Sequence, residues 1–166
     1  AGGKRAPADP ARLGLYDMAQ AGKEYAIRLG RMNFPVYYPR LLPNPNGYMQ
    51  PVAEGGYPHK YRTKTPSGKM KQAYRLVVDV STGAHPGNYI GIQGTTWLDP
   101  PILKNPSADT RTVNGKKLDL YYDGKRLRLV AWRTPKAVYW VSNSLEKLLT
   151  NEQMIQIAGS LTRLGH

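Results

Sequence analysis

With 166 residues, 40% of them hydrophobic, the chain has the length and apolar content of one globular domain, which excludes a disordered class. The absence of cysteine excludes disulfides, thiolate metal sites and thiol nucleophiles, and no apolar run reaches the roughly 18 residues that span a bilayer. Lys and Arg number 24 against 11 Asp and Glu, and the formal charge of +13 attracts polyanions such as nucleic acid, anionic lipid headgroups or anionic wall polymers.

Residues 1–10 are small, charged and proline-bearing, the composition of a flexible linker. One α+β domain is predicted over 11–164, and Gly165-His166 reads as a disordered end or a tag remnant. A start at Ala1-Gly2-Gly3 rather than Met reads as a fragment or a mature form. Over 11–29, Leu15, Met18, Ala19, Ala21, Tyr25 and Leu29 recur at three- and four-residue steps, which predicts an amphipathic helix despite Gly14 and Gly22. In Phe34-Pro35-Val36-Tyr37-Tyr38-Pro39 the prolines force extended backbone and bar a central strand position, so an edge segment is expected. Residues 41–58 carry Pro43, Asn44, Pro45, Asn46 and Gly47 and read as a loop.

A two-residue period follows. Residues 57–65 alternate Tyr57, His59, Tyr61 and Thr63 against Lys60, Arg62 and Lys64, the pattern of a strand with one wet, basic face. Residues 71–80 form an apolar strand, and 88–97 another, in which Gly91 and Gly94 suggest a bulge or a close backbone approach. Residues 102–111 read as an excursion. Residues 112–122 are predicted as one strand, joined through Asp123-Gly124 to a second arm over 126–133. In that arm Leu127, Leu129 and Ala131 share one face, and Val130 and Trp132 share the other with Arg126 and Arg128. A further strand covers 137–142. Thr150-Asn151-Glu152-Gln153 has capping-box spacing and opens a C-terminal amphipathic helix with Met154, Ile157, Ala158, Leu161 and Leu164 on its apolar stripe. The expected architecture is an N-terminal helix, a twisted antiparallel sheet of five or six strands, and this C-terminal helix packed on it.

No constellation in the sequence carries a reaction. The histidines His59, His85 and His166 have no metal-ligand spacing, and the aspartates are scattered over turns and wet strand faces. No phosphate loop, nucleophile elbow or dinucleotide fingerprint is present, so no catalytic residue, metal or cofactor is assigned. The suggestive feature is aromatic and basic interleaving. Lys60, Arg62, Lys64, Lys71 and Arg75 with Tyr57, Tyr61 and Tyr74 fall on adjacent strands, and Arg126, Arg128 and Arg133 add charge on another. Such a face can stack rings and hold anions. Twelve Tyr against one Phe suit a sheet whose aromatic surfaces each keep a polar tip.

Val130-Ala131-Trp132-Arg133-Thr134-Pro135-Lys136-Ala137-Val138-Tyr139-Trp140-Val141-Ser142-Asn143-Ser144-Leu145, followed by Met154-Ile155-Gln156-Ile157-Ala158-Gly159-Ser160-Leu161, resembles the C-terminal extracellular region that follows the catalytic domain in some actinobacterial LytR-CpsA-Psr envelope proteins. Phe34-Pro35-Val36-Tyr37-Tyr38-Pro39, Gly91-Ile92-Gln93-Gly94-Thr95-Thr96-Trp97 with Pro100-Pro101-Ile102-Leu103, and Leu120-Tyr121-Tyr122-Asp123-Gly124 extend the resemblance over about 34–164. It implies a cell-envelope location outside the cytoplasm, membrane-tethered or secreted, and an accessory role beside an enzyme. No active-site residue of that family finds a place here. The sheet-plus-helix order also looks like extracytoplasmic domains of the lipoprotein-carrier and anti-sigma-regulator type, at the level of fold alone. The expected function is a non-catalytic binding module that meets anionic glycopolymer, lipid headgroups or an adjoining catalytic domain. The alternatives are a wall hydrolase or glycopolymer transferase with a site built from separated residues, and a nucleic-acid-binding domain.

Overall fold

Hydrophobic alternation and turn chemistry together fix the order of elements. The computed structural model describes residues 9–48 and 58–165. A 3₁₀ turn at Pro10–Leu13 precedes β1 (Tyr16–Asp17), α1 (Ala19–Ala26), a second 3₁₀ turn at Ile27–Leu29, β2 (Tyr37–Pro39) and β3 (Leu41–Leu42). Then come β4 (His59–Lys64), β5 (Met70–Asp79), β6 (Tyr89–Thr95), a 3₁₀ turn at Pro101–Leu103, β7 (Asp109–Val113), β8 (Lys116–Asp123), β9 (Arg126–Arg133) and β10 (Val138–Ser142). The last elements are α2 (Asn151–Gly159) and β11 (Leu161–Arg163).

The α+β class with an antiparallel sheet holds. The main sheet has seven strands rather than five or six, in the order β4-β5-β6-β10-β9-β8-β7, and β1/β3 and β2/β11 form two small pairs beside it. The extra strand, β7, takes Asp109, Thr110 and Arg111 from the segment read as an excursion over 102–111, and Asn114-Gly115 parts it from β8 within the strand predicted over 112–122. Both residues have positive φ, +50° and +77°, the requirement of a two-residue I′ hairpin. The helix predicted over 11–29 is also shorter. Gly14 takes the left-handed conformation and ends the first turn, and Tyr16 and Asp17 then pair with Leu42 and Leu41, leaving α1 only eight residues. The predicted linker over 1–10 lies largely outside the described residues, although Asp9 caps the first turn through the Ala11 N–H.

One face of the main sheet, the inner face, carries α2 and the N-terminal elements. Its core runs in rows across the registers. Leu76, Ile92, Val141, Val130 and Leu120 are successive partners, and all are buried in one cluster with Met154, Ile157 and Ala158 of α2. In the next row, Tyr74, Gly94, Tyr139, Trp132 and Leu118 follow one another. Gly94 is a close approach without a bulge, since a methyl group there would meet Tyr74 at 2.6 Å and Tyr139 at 2.8 Å.

The face assignment within β9 needs one correction. Tyr121 pairs with Leu129 and Tyr122 with Leu127, so Arg128 is an extra, bulged residue. The bulge turns Leu127 to the inner face with Val130 and Trp132, while Leu129 and Ala131 stay on the outer face. Strict alternation across 126–133 cannot foresee this.

Tyrosine hydroxyls tie the layers together. Tyr74 Oη donates to the Tyr37 carbonyl (2.8 Å) and accepts from the Tyr37 N–H (3.0 Å), and Tyr139 Oη donates to the Pro35 carbonyl. Tyr48 Oη donates to the Pro39 carbonyl at 2.7 Å. Tyr25 Oη bonds both the N–H and the carbonyl of Val77, on the stretch of β5 that β4 does not reach. Burial holds the Tyr48 and Tyr74 pKa values well above the usual phenol range, so both hydroxyls stay protonated.

The helix cap is as the sequence predicts, Thr150 accepting from the Gln153 N–H and Gln153 reaching back to the Thr150 N–H, but the helix stops at Gly159, and Leu161, predicted on its stripe, lies in β11 paired with β2. We expect Thr150→Ala to cost about 1 kcal/mol. Tyr74→Phe, which strands two buried groups of Tyr37, is expected to cost about 1–3 kcal/mol, both values read from the urea midpoint at constant m.

Candidate binding cleft on the outer sheet face

Beyond β6 the chain doubles back over the face opposite α2. Pro100 and Pro101 stop strand continuation, and the 3₁₀ turn sets Leu103 among Tyr121, Leu129, Ala131, Val138 and Trp140, a second buried cluster. Arg133 holds this covering segment down. Its guanidinium donates to the carbonyls of Leu98 (3.0 Å) and Leu103 (3.4 Å), and its Nε lies 3.4 Å from the Asp119 carboxylate. At the start of the segment, Thr95 Oγ1 accepts from the Trp97 N–H and donates to the Gln72 carbonyl, both at 3.1 Å.

Between the covering segment and the sheet lies a cleft of about 290 Å³. Strand alternation brings its lining together, because Tyr61, Ala73 and Thr95 are successive partners across β4, β5 and β6, as are Gln93 and Trp140 across β6 and β10. Tyr61, Thr63, Gln93 and Trp140 come from the sheet, Trp97 and Ile102 from the covering segment. Tyr61 Oη donates to Gln93 Oε1 at 2.9 Å. Burial raises the Tyr61 pKa, opposed in part by the charge of Arg75, so the hydroxyl stays protonated. Thr63 Oγ1 and Trp140 Nε1 are buried with no hydrogen-bond partner.

The structure divides the predicted basic aromatic face. Tyr61, Lys71 and Arg75 lie on the outer face, Arg75 extending over Gly91, where a methyl group would sit 3.5 Å from its Nε. Lys60, Arg62 and Lys64 alternate with them and point to the inner side of the exposed strand β4. Tyr74 is fully buried in the core and offers no contact surface. Arg126 donates to the carbonyls of Lys147 and Leu149 and holds the loop before α2, and Arg128 lies 5.5 Å from the Tyr121 ring centroid. With Arg133 fastened to the covering segment, Arg126 and Arg133 are structural ties, and Arg128 is placed against an aromatic ring. Tyr57 lies outside the described residues.

Most of the acidic side chains are similarly engaged, whereas Asp99, exposed on the covering segment, enters none of the described hydrogen bonds or ion pairs. Asp17 pairs with Arg40, which with the Ala19 N–H lowers its pKa, and Asp123 pairs with Lys147. Asp79 accepts from the Ser81 N–H, Asp109 from the Thr110 N–H, and His85 Nδ1 lies 3.1 Å from Glu146. Among the described residues no group of three His, Asp or Glu could hold a metal ion, and no helix is long and apolar enough to cross a membrane.

Sequence reasoning missed Thr63, Gln93, Trp97 and Trp140 as cleft residues. The signal available was Trp97-Leu98-Asp99-Pro100-Pro101, an aromatic residue followed by a double proline that forces the chain off the sheet. Comparison of the chain with protein-family models, with characterised proteins and with solved structures gives no match.

Arg133→Ala frees two carbonyls and Asp119 at once. We expect faster amide hydrogen exchange confined to residues 98–104, whereas Arg126→Ala should loosen 147–149 and leave 98–104 protected.

Proposed function

We propose that this chain is a non-catalytic binding module of the cell envelope, membrane-tethered or secreted, that meets an anionic glycopolymer through the outer face of its main sheet. The observation that carries this reading is the position of the aromatic cleft beside two cations, Lys71 and Arg75, which are register partners of the cleft residues Thr63 and Gln93 and whose side chains enter none of the described hydrogen bonds or ion pairs. A ring docks on aromatic and prolyl walls while the cations receive the anionic groups of the same chain. The formal charge of +13 adds a field that draws a polyanion in from a distance. Support also comes from the resemblance to the extracellular region of LytR-CpsA-Psr proteins, whose catalytic domains attach glycopolymers to peptidoglycan.

The engagement of Asp17, Asp79, Asp109, Asp119 and Asp123 with cations or backbone leaves Asp99 as a single exposed carboxylate on the covering segment, which favours binding over a wall hydrolase built on a pair of carboxylates facing the substrate. Lys60, Arg62 and Lys64 lie on the side of the sheet away from the cleft, so the outer face lacks the continuous basic track that a nucleic-acid backbone requires.

Sedimentation with isolated actinobacterial cell walls tests the reading. Retention is expected to fall steeply with added salt, and the double variant Lys71→Glu/Arg75→Glu is expected to bind about tenfold more weakly, equivalent to ~1.4 kcal/mol. Retention that ignores both salt and these substitutions would overturn it.

A further inference from the structure

We propose that the cleft receives a single uncharged pyranose ring of a glycan, stacked against its aromatic walls and hydrogen-bonded by the Trp140 indole N–H and the Thr63 hydroxyl. This inference rests on the glycopolymer reading above and specifies which part of the polymer the cleft takes.

The argument starts from unsatisfied groups. Buried polar atoms in folded proteins nearly always have a partner, because stripping one of water without replacement is unfavourable. Among the described residues only three buried side-chain oxygen or nitrogen atoms lack one: Thr63 Oγ1, Trp140 Nε1 and Glu152 Oε2. Glu152 is already tied through its other oxygen to Arg111. The remaining two belong to side chains that line one cleft, on strands β4 and β10, which are separated by two intervening strands. Trp140 itself is only 5% exposed, so its N–H is a donor held in the cleft wall with nothing to receive it. Both atoms are closed off from solvent in this conformation, so entry of the ring requires the covering segment, which Arg133 ties down through Leu98 and Leu103, to move.

The ligand class follows from what the walls offer together. Tyr61, Trp97 and Trp140 supply aromatic lining, and Pro100, Pro101 and Ile102 supply aliphatic surface. Thr63 and Trp140 require oxygen atoms on the ligand. A pyranose meets both demands, having a C–H face for the rings and hydroxyl and ring oxygens at its perimeter. An acyl chain would fill the space and leave both polar atoms unpaired. A volume of about 290 Å³ lies at the bottom of the ligand-pocket range, room for one ring, with the rest of the polymer running out past Arg75.

The test uses intrinsic tryptophan fluorescence of the whole chain, titrated with neutral di- and trisaccharides released from isolated wall polymer. Parallel titrations use inorganic polyphosphate, phosphatidylglycerol vesicles and a single-stranded oligonucleotide. Saccharide binding is expected to shift the emission independently of salt. Trp140→Phe, which keeps an aromatic ring and removes the N–H, and Thr63→Val, which keeps the shape, are each expected to weaken it about five- to tenfold. Neither variant loses a protein–protein hydrogen bond, so unchanged urea midpoints accompany the expected result.

Salt-sensitive wall retention without saccharide binding, or saccharide binding unaffected by Trp140→Phe and Thr63→Val, overturns this inference and leaves the charge-based reading standing. Saccharide binding by a chain that walls do not retain upholds the cleft and overturns the polymer reading. A tryptophan shift given by the oligonucleotide or the vesicles in place of the saccharides assigns the cleft to another ligand and overturns the proposal.

Discussion

The hydrogen bonds from buried tyrosine hydroxyls to the backbone of residues 35–39 are the constraint on which the layers depend. Two prolines in this short segment remove N–H donors and hold it extended, so it cannot join the centre of the sheet. It instead crosses the inner face. One edge of β2 pairs with β11, and the other is met by the Tyr74 hydroxyl, which bonds both groups of Tyr37. Tyr139 takes the carbonyl of Pro35 and Tyr48 that of Pro39. A phenylalanine at any of these places would fill the same volume and leave a buried carbonyl bare. The excess of Tyr over Phe is therefore explained less by a wet sheet surface, the expectation from composition, than by tertiary bonds to backbone. Aromatic contacts reinforce the arrangement: the Tyr37 ring lies edge-on to both Trp132 and Tyr139, with centroids 4.8 and 4.9 Å away.

Features encoded by neighbours in the chain were legible, and those requiring an extra residue or a fold-back were not. The Thr150 cap, the Gly124 turn and the strands from β4 to β6 depend on local chemistry and period, and they stand close to where the pattern puts them. Asn114-Gly115 is equally local but was absorbed into a single long strand, because the flanking residues alternate without a break in polarity. The Arg128 bulge is a different case. Nothing in 126–133 marks it, since it is a shift of register between β8 and β9 at Tyr121 and Tyr122, a property of the pair.

The candidate site divides along the same line. Tyr61, Lys71 and Arg75 were identifiable as a basic aromatic group, but composition alone merged the two sides of a strand that period-two geometry keeps apart. Lys60, Arg62 and Lys64 therefore left the group, and Tyr74 became core. Trp97 and Trp140 are far apart in sequence and meet only because Pro100 and Pro101 turn the chain back and Arg133 fastens it. Two of the arginines that looked like anion ligands on β9, Arg126 and Arg133, instead hold loops through carbonyl oxygens, a use of the guanidinium fork that depends on which backbone groups the fold leaves unpaired.

The sealing of β5 bears on how copies of this chain behave when crowded. Beyond the reach of β4, the backbone of β5 is closed off by the Tyr25 hydroxyl at Val77 and by the Gly47 carbonyl at the Asp79 N–H. The strand outside it, β4, has Lys60, Arg62 and Lys64 exposed. A second molecule approaching this edge meets like charge on one stretch and occupied hydrogen-bonding groups on the next, the two conditions that stop sheets from growing between chains. The chain can thus reach high local density without passing into a fibrous aggregate along this side.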